Sequence, residues 1–179
     1  MPIQQISPIQ LAHYPRAETL NPIIEATFER LDDDDFHRRT HFVGGRFENL
    51  YPAPGRLTGI DALLAFVEVQ SRAVLGLEAP PLRLGYWLNA MASGQRTSEH
   101  SHDENDELLS GVYFVATPPS SGDLLFYDDP FEIRVQPEPG MLLLFPPQLP
   151  HAVEENRSDR LRLSIAFNIG PADEAASRR

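Results

Sequence analysis

The sequence predicts a mainly β chain with flanking helices, and three observations carry that expectation. From Leu82 onward, short apolar or alternating runs follow one another with no helical periodicity between them. Proline- and glycine-rich punctuation separates these runs, notably Pro118-Pro119-Ser120-Ser121-Gly122 and the stretch from Pro137 to Gly140. Helical periodicity is confined to the chain before Pro81. A succession of short strands without helices between them closes as an antiparallel sandwich or barrel, with the helices packed outside.

Taken in order, Asn21-Pro22 reads as an N-cap followed by proline at the first helical position. Ile24, Phe28 and Leu31 then recur at i, i+4 and i+7, which makes one short amphipathic helix. The acidic run Asp32 to Asp35 reads as a solvated loop, because it lacks the glycine that an EF-hand calcium loop needs at its sixth position. A second helix opens at Thr58, with Asp61 three residues on as a capping-box variant. It places Ile60, Leu63, Leu64, Val67 and Val74 along one face and closes at Gly76. Strands are predicted over Leu82 to Met91, Leu109 to Thr117, Asp123 to Tyr127, Phe131 to Val135, Met141 to Phe145 and Arg160 to Ile169. A length of 179 residues suits one domain, long enough to bury roughly 68–70% of its unfolded surface. Within it, 1–81 is expected to be mostly helix and loop packed on the barrel, 82–170 the β core and 171–179 a frayed tail.

Composition narrows the chemistry. Hydrophobic residues at 41% and charged residues at 23% are those of a globular protein, and no apolar run approaches the roughly 18 residues of a membrane span. The opening MPIQQISPIQ lacks the basic and apolar regions of a secretory signal, so a cytoplasmic location is expected. With no cysteine, any metal must be held by His, Asp or Glu. A formal net charge of −11 argues against nucleic acid as a partner, since phosphate binding draws on Lys and Arg.

Three of the six histidines point to such a metal. In an extended chain, residues i and i+2 face the same side, so His100 and His102 can present two imidazoles to one ion. His151 begins a short strand after the buried-looking run Gly140-Met141-Leu142-Leu143-Leu144-Phe145 and its proline-rich end. His13, His37 and His41 lie in the polar N-terminal third and read as surface or capping residues. In the last strand, Arg160, Arg162, Ser164, Ala166 and Asn168 share one face, and Leu161, Leu163, Ile165, Phe167 and Ile169 the other. A hairpin centred between Asn156 and Arg157 would set His151 opposite Arg162, placing a carboxylate clamp beside a metal-binding imidazole.

These residues resemble the Fe(II)- and 2-oxoglutarate-dependent dioxygenases, specifically an uncharacterised bacterial and phage branch of 2OG-Fe(II) oxygenases. The stretches that carry the likeness are His100-Ser101-His102, Leu109 to Phe114, Gly122 to Phe126, Gly140 to His151 and Arg162 to Asn168. The resemblance implies a double-stranded β-helix, a small cupin-like jelly roll, and an enzyme that hydroxylates a small-molecule or peptide substrate with Fe(II) and 2-oxoglutarate. It implies His100 and His151 as iron ligands, and Arg162 on the co-substrate with Ser164 beside it. Tyr113, Asn89 and Asn168 are then candidate inward groups that hydrogen-bond the co-substrate. The family's usual second ligand is a carboxylate, and His102 stands at that position. Either three neutral histidines hold the iron, or a carboxylate from Asp103, Glu104 or Glu107 replaces His102 in the shell.

Two other readings stay open at this point. A cupin-type metalloenzyme would use His100, His102, Glu107 and His151, a spacing that Gly94 before them also fits, and would make no demand on Arg162. A non-catalytic barrel would bind a metal or small molecule without turning it over.

Overall fold

The computed structural model describes residues 8–76, 78–102 and 105–172. The N-terminal part holds β1 (Gln10–His13), α1 (Ala17–Phe28), a single 3-10 turn (Asp33–Asp35), β2 (Phe36–Val43), β3 (Arg46–Pro52) and α2 (Ile60–Leu75). There follow β4 (Leu82–Met91), β5 (Thr97–His100), β6 (Leu109–Ala116), β7 (Leu124–Asp128), β8 (Phe131–Val135), β9 (Met141–Phe145), β10 (His151–Val153) and β11 (Arg162–Pro171). They form a seven-stranded sheet in the order β1-β9-β6-β11-β4-β3-β2 and a four-stranded sheet in the order β5-β10-β7-β8. The pairings are antiparallel, and the two sheets face one another as a jelly roll.

Burial explains the sequence pattern. One apolar cluster joins Ile24 of α1 and Leu63 and Val67 of α2 to Leu142, Ile165 and Phe167 on the outer face of the large sheet. A second joins Phe114, Leu143 and Phe145 on its inner face to Leu124 and Phe126 of the small sheet. The large sheet is thus covered on both sides, which is why β6 and β9 read as nearly unbroken apolar runs instead of alternating ones.

The structure corrects the N-terminal third. It contributes β1, β2 and β3 to the large sheet as well as two helices. Gly44 and Gly45, both at positive φ, form the two-residue turn between β2 and β3, a hairpin signal present in the sequence. Helix α1 starts at Ala17, so Pro22 lies inside it and Asn21 is no N-cap. Asn21 is buried, donates Nδ2 to the Val115 carbonyl at 2.9 Å and accepts the Tyr113 hydroxyl at 2.6 Å. Helix α2 is capped by Gly59 in the left-handed region, not by Thr58, and Gly76 closes it as expected. The run Asp32 to Asp35 is an exposed capped turn with ion pairs from Asp33 to Arg39 and from Asp35 to Arg56. Strand β11 extends to Pro171, into the expected tail; 173–179 lie outside the described residues. Among the described residues, no helix is long and apolar enough to cross a membrane.

Candidate metal centre

A cavity of about 450 Å³ opens between the two sheets. Strand β5 delivers His100 to it and β10 delivers His151, and the two are direct partners across the β5–β10 ladder. His102 follows β5 in a segment held by its own backbone N–H, which donates to the Pro147 carbonyl at 2.8 Å. The ring centroids lie 4.3 Å apart for His100 and His151, 5.0 Å for His100 and His102, and 5.2 Å for His102 and His151. One ligating atom from each falls within 4.8 Å of the others.

Local backbone sets which nitrogen each ring presents. His100 Nδ1 lies 2.9 Å from the Ser98 carbonyl and His151 Nδ1 lies 3.0 Å from the Leu149 carbonyl. A carbonyl only accepts, so Nδ1 carries the proton in both rings and Nε2 keeps its lone pair for the cavity. Burial, followed by the neighbouring His100 and His102, pushes the His151 pKa down to about 3. The ring is therefore neutral, as a metal ligand must be. Phe126 and Phe145 pack at 6.0 and 4.9 Å from His151 and close the inner wall. Three imidazole donors of this kind fit a borderline divalent ion such as iron.

Glu107 does not join the histidines. Its Oε1 accepts from Asn105 and Asn168 Nδ2, each at 3.4 Å, and the ligand cluster drawn together among the described residues is the three histidines alone. The four-residue cupin shell is therefore not assembled. Asp103 and Glu104, the other carboxylate candidates, lie outside the described residues.

Arg162 lines the same cavity from the large sheet. It does not sit opposite His151: it pairs with Met91, whereas His151 pairs with His100 and Phe126 in the small sheet. The connection between them is a crossover from one sheet to the other instead of a hairpin. Fully buried Asn156 anchors it, donating to the Met91 and Arg160 carbonyls at 2.8 and 2.9 Å. Arg162 thus faces the three histidines across the cavity.

The guanidinium is 1% exposed and forms no ion pair among the described residues. Its Nη1 donates to the Ser121 and Gly122 carbonyls, and its Nε has no partner. Burial lowers its pKa to about 10, which leaves it charged at neutral pH. Asp123 attracts it only from beyond ion-pair distance, and a buried charge without a contacting counter-ion is costly, so this end of the cavity suits an anion such as a carboxylate. Ser164, Ala166 and Asn168 share its face, as the alternation requires, and Asn89 lines the cavity beside them.

Tyr113 is the expectation that the geometry overturns. The β6 alternation sends Val112 and Phe114 to the cavity and Tyr113 to the helices, where its hydroxyl is committed to Asn21 and burial pushes its pKa up. His41 is exposed, as expected, and also lines the cavity at positive φ, together with Arg38, Asn49 and Tyr51 of the same hairpin. The Gly44-Gly45 turn is the signal from which that hairpin could be found. Trp87, 5.6 Å from His102, is hidden in the sequence because it shares a mixed face of its strand with Arg83, Gly85 and Asn89, and no local pattern joins it to His102.

Residues 128–168, which include His151, Arg162 and Ser164, match the family model described as "Putative 2OG-Fe(II) oxygenase". No curated protein matches the chain by sequence. Among solved structures, a prolyl-4-hydroxylase from Pseudomonas putida is similar with a TM-score of 0.70 and 19% identity, over 94% of this chain and 90% of that one. The non-heme alpha ketoglutarate dependent carbocyclase SnoK from nogalamycin biosynthesis aligns with a TM-score of 0.73 and 14% identity, over 97% and 87% of the two chains. A prolyl hydroxylase from Trichoplax adhaerens, solved with a hypoxia inducible factor peptide fragment, aligns at 0.71 and 13%, over 97% and 88%. At these identities the structural likeness establishes the fold. The chain thus shares the fold of these solved oxygenases over nearly its whole length, and its residues 128–168 carry the sequence signature of the 2OG-Fe(II) oxygenase family model.

Proposed function

We propose that the protein is a Fe(II)- and 2-oxoglutarate-dependent hydroxylase in which His100, His102 and His151 hold the iron and Arg162 with Ser164 holds the co-substrate. The observation that carries the reading is the buried Arg162 guanidinium, with no ion pair among the described residues and a partnerless Nε, on the cavity that also gathers the three imidazoles. When bound, iron and co-substrate supply oxidation of a substrate C–H bond by O₂, coupled to conversion of 2-oxoglutarate to succinate and CO₂.

The chain's own contribution is to bind, orient and exclude water. The Ser98 and Leu149 carbonyls hold two imidazoles with Nε2 free. The Ser121 and Gly122 carbonyls pin one edge of Arg162, so that the rest of the fork is set to receive a carboxylate. Ser164, on the same face two residues on, offers a hydroxyl beside it. Phe126 and Phe145 keep the inner wall apolar, which strengthens every charge interaction within. The substrate is a small molecule or peptide that enters from the side of the β2–β3 hairpin, away from Arg162.

Anaerobic titration of the Fe(II)-loaded protein with 2-oxoglutarate tests this reading. The expected result is the weak visible charge-transfer band of bidentate binding, lost in Arg162→Ala. Absence of the band in the native protein would overturn the proposal and leave a metal-binding barrel.

A further inference from the structure

A stripe of side chains leads across the floor of the cavity, away from the histidines. His102 contacts Trp87 at 5.6 Å between ring centroids, Trp87 contacts Tyr51 at 5.9 Å, and the Arg38 guanidinium carbon stands 4.9 Å from the centre of the Tyr51 ring. The sheet builds the stripe: Arg38 on β2 is the cross-strand partner of Tyr51 on β3, and β3 pairs with β4, which carries Trp87. All four residues line the one cavity. Strands β11 and β2 are separated by β4 and β3, so Arg38 and Arg162 lie three strand spacings apart across the sheet, roughly 14 Å, and the strand registers, which set Arg38 level with Ala166, offset them by a further roughly 13 Å along it.

Arg38 differs from its neighbours in how its charge is used. Arg39 is paired with Asp33, and Arg46 with Glu48 at 3.3 Å. Arg38 is exposed and makes no ion pair among the described residues; its guanidinium rests on the Tyr51 ring. Of the described carboxylates on the cavity, Glu48 is taken by Arg46 and Glu99 is exposed on β5, in the opposite sheet. The chain has a net charge of −11, so an unclaimed cation at the outer end of an aromatic wall stands against its surroundings. A cavity with a cation at each end and aromatic rings between suits two anions, and the inner one is the co-substrate.

We infer that Arg38 anchors an anionic group of the substrate, which is an organic acid whose apolar or aromatic body lies along Tyr51 and Trp87 toward the metal centre. The inference rests on the oxygenase reading above for the direction in which substrate approaches. A guanidinium held on a ring face keeps its N–H edge turned outward, which gives a carboxylate both charge and a fixed pair of donors.

Trp87 is the sole tryptophan of the chain, so intrinsic fluorescence reports on this wall directly. The probes are 3-phenylpropanoate, 4-phenylbutanoate and 6-phenylhexanoate, each beside its neutral amide. They are titrated into anaerobic Fe(II)-loaded protein with 2-oxoglutarate in excess to fill the Arg162 end. At least one acid should perturb Trp87 saturably and bind at least tenfold tighter than its amide. Arg38→Gln should remove that preference, Arg38→Lys should keep part of it, and neither should move the thermal midpoint. If no acid outbinds its amide, or the preference survives in Arg38→Gln, the inference is overturned. The 2-oxoglutarate band, read without probes, separates the two proposals: a band with no acid preference sinks the Arg38 anchor alone. If the band is missing, the same titration in metal-free protein still judges Arg38, because acid preference through Trp87 needs no iron.

Discussion

His151 is the residue on which the proposed metal centre turns, because its imidazole is buried, neutral and held by Leu149 with Nε2 toward the cavity. His151→Ala should abolish Fe(II) binding, measured by metal analysis after desalting. Glu107→Ala should leave it intact, because Glu107 is engaged by Asn105 and Asn168. Equal loss in both variants would restore the cupin shell. Gly122 shows how a single backbone position supports the clamp. It sits at φ +91°, and a Cβ there would meet the Glu154 carbonyl oxygen at 2.3 Å. Gly122→Ala should therefore destabilise the fold by about 1–3 kcal/mol, read by chemical denaturation, and weaken 2-oxoglutarate binding by displacing a carbonyl that Arg162 uses. Histidine spacing and strand alternation make the three imidazoles and Arg162 legible in the sequence alone. The role of Gly122 is not legible there, since the close approach of Glu154 comes from a different part of the chain.

At the scale of elements, α1 and β6 are joined by a buried polar link, in which Asn21 bridges the Val115 carbonyl and the Tyr113 hydroxyl. Asn21→Ala leaves that hydroxyl unpaired in the core and should cost about 1–3 kcal/mol, with part of the loss recovered in the Asn21→Ala/Tyr113→Phe double variant. Tyr113→Phe alone should leave the 2-oxoglutarate affinity unchanged, because the residue faces the helices and not the cavity. A tenfold weaker affinity would contradict this placement. Strands β4, β8 and β9 are legible in the sequence with the boundaries they have in the fold, because Pro and Gly turns bracket apolar or alternating runs. The N-terminal strands are not: β2 carries charged and polar residues at most positions, so its alternation is masked, and its partner strand supplies the order. The proline of α1 misleads for a related reason. Asn21-Pro22 has the form of a helix start, yet burying Asn21 against β6 carries the helix back to Ala17.

For the whole molecule, the histidines tie the edge strand β5, the central strand β10 and the segment after β5 to one point. Metal binding that is selective for the native state stabilises by mass action, about 2.7 kcal/mol at one hundred times the dissociation constant. Anaerobic Fe(II) should accordingly raise the thermal midpoint of the native protein, chelator should reverse the rise, and His151→Ala should show neither effect. A midpoint that ignores iron would mean that the three imidazoles do not act as one site.

The class of fold, the strand-rich second half, the histidine triplet and the face of β11 that bears Arg162 can be read along the chain. All of these are short-range matters of residue type, spacing and alternation. How the pieces meet is set by contacts between distant parts of the chain. Whether the segment after His151 turns back as a hairpin or crosses to the other sheet depends on where Asn156 finds its partners, and these lie on Met91, Gln95 and Arg160. That crossover sets Arg162 across the cavity from the histidines instead of beside His151. Sheet order also lays Trp87, Tyr51 and Arg38 along a floor that runs outward from the histidines and away from Arg162, a long-range property that no local pattern encodes.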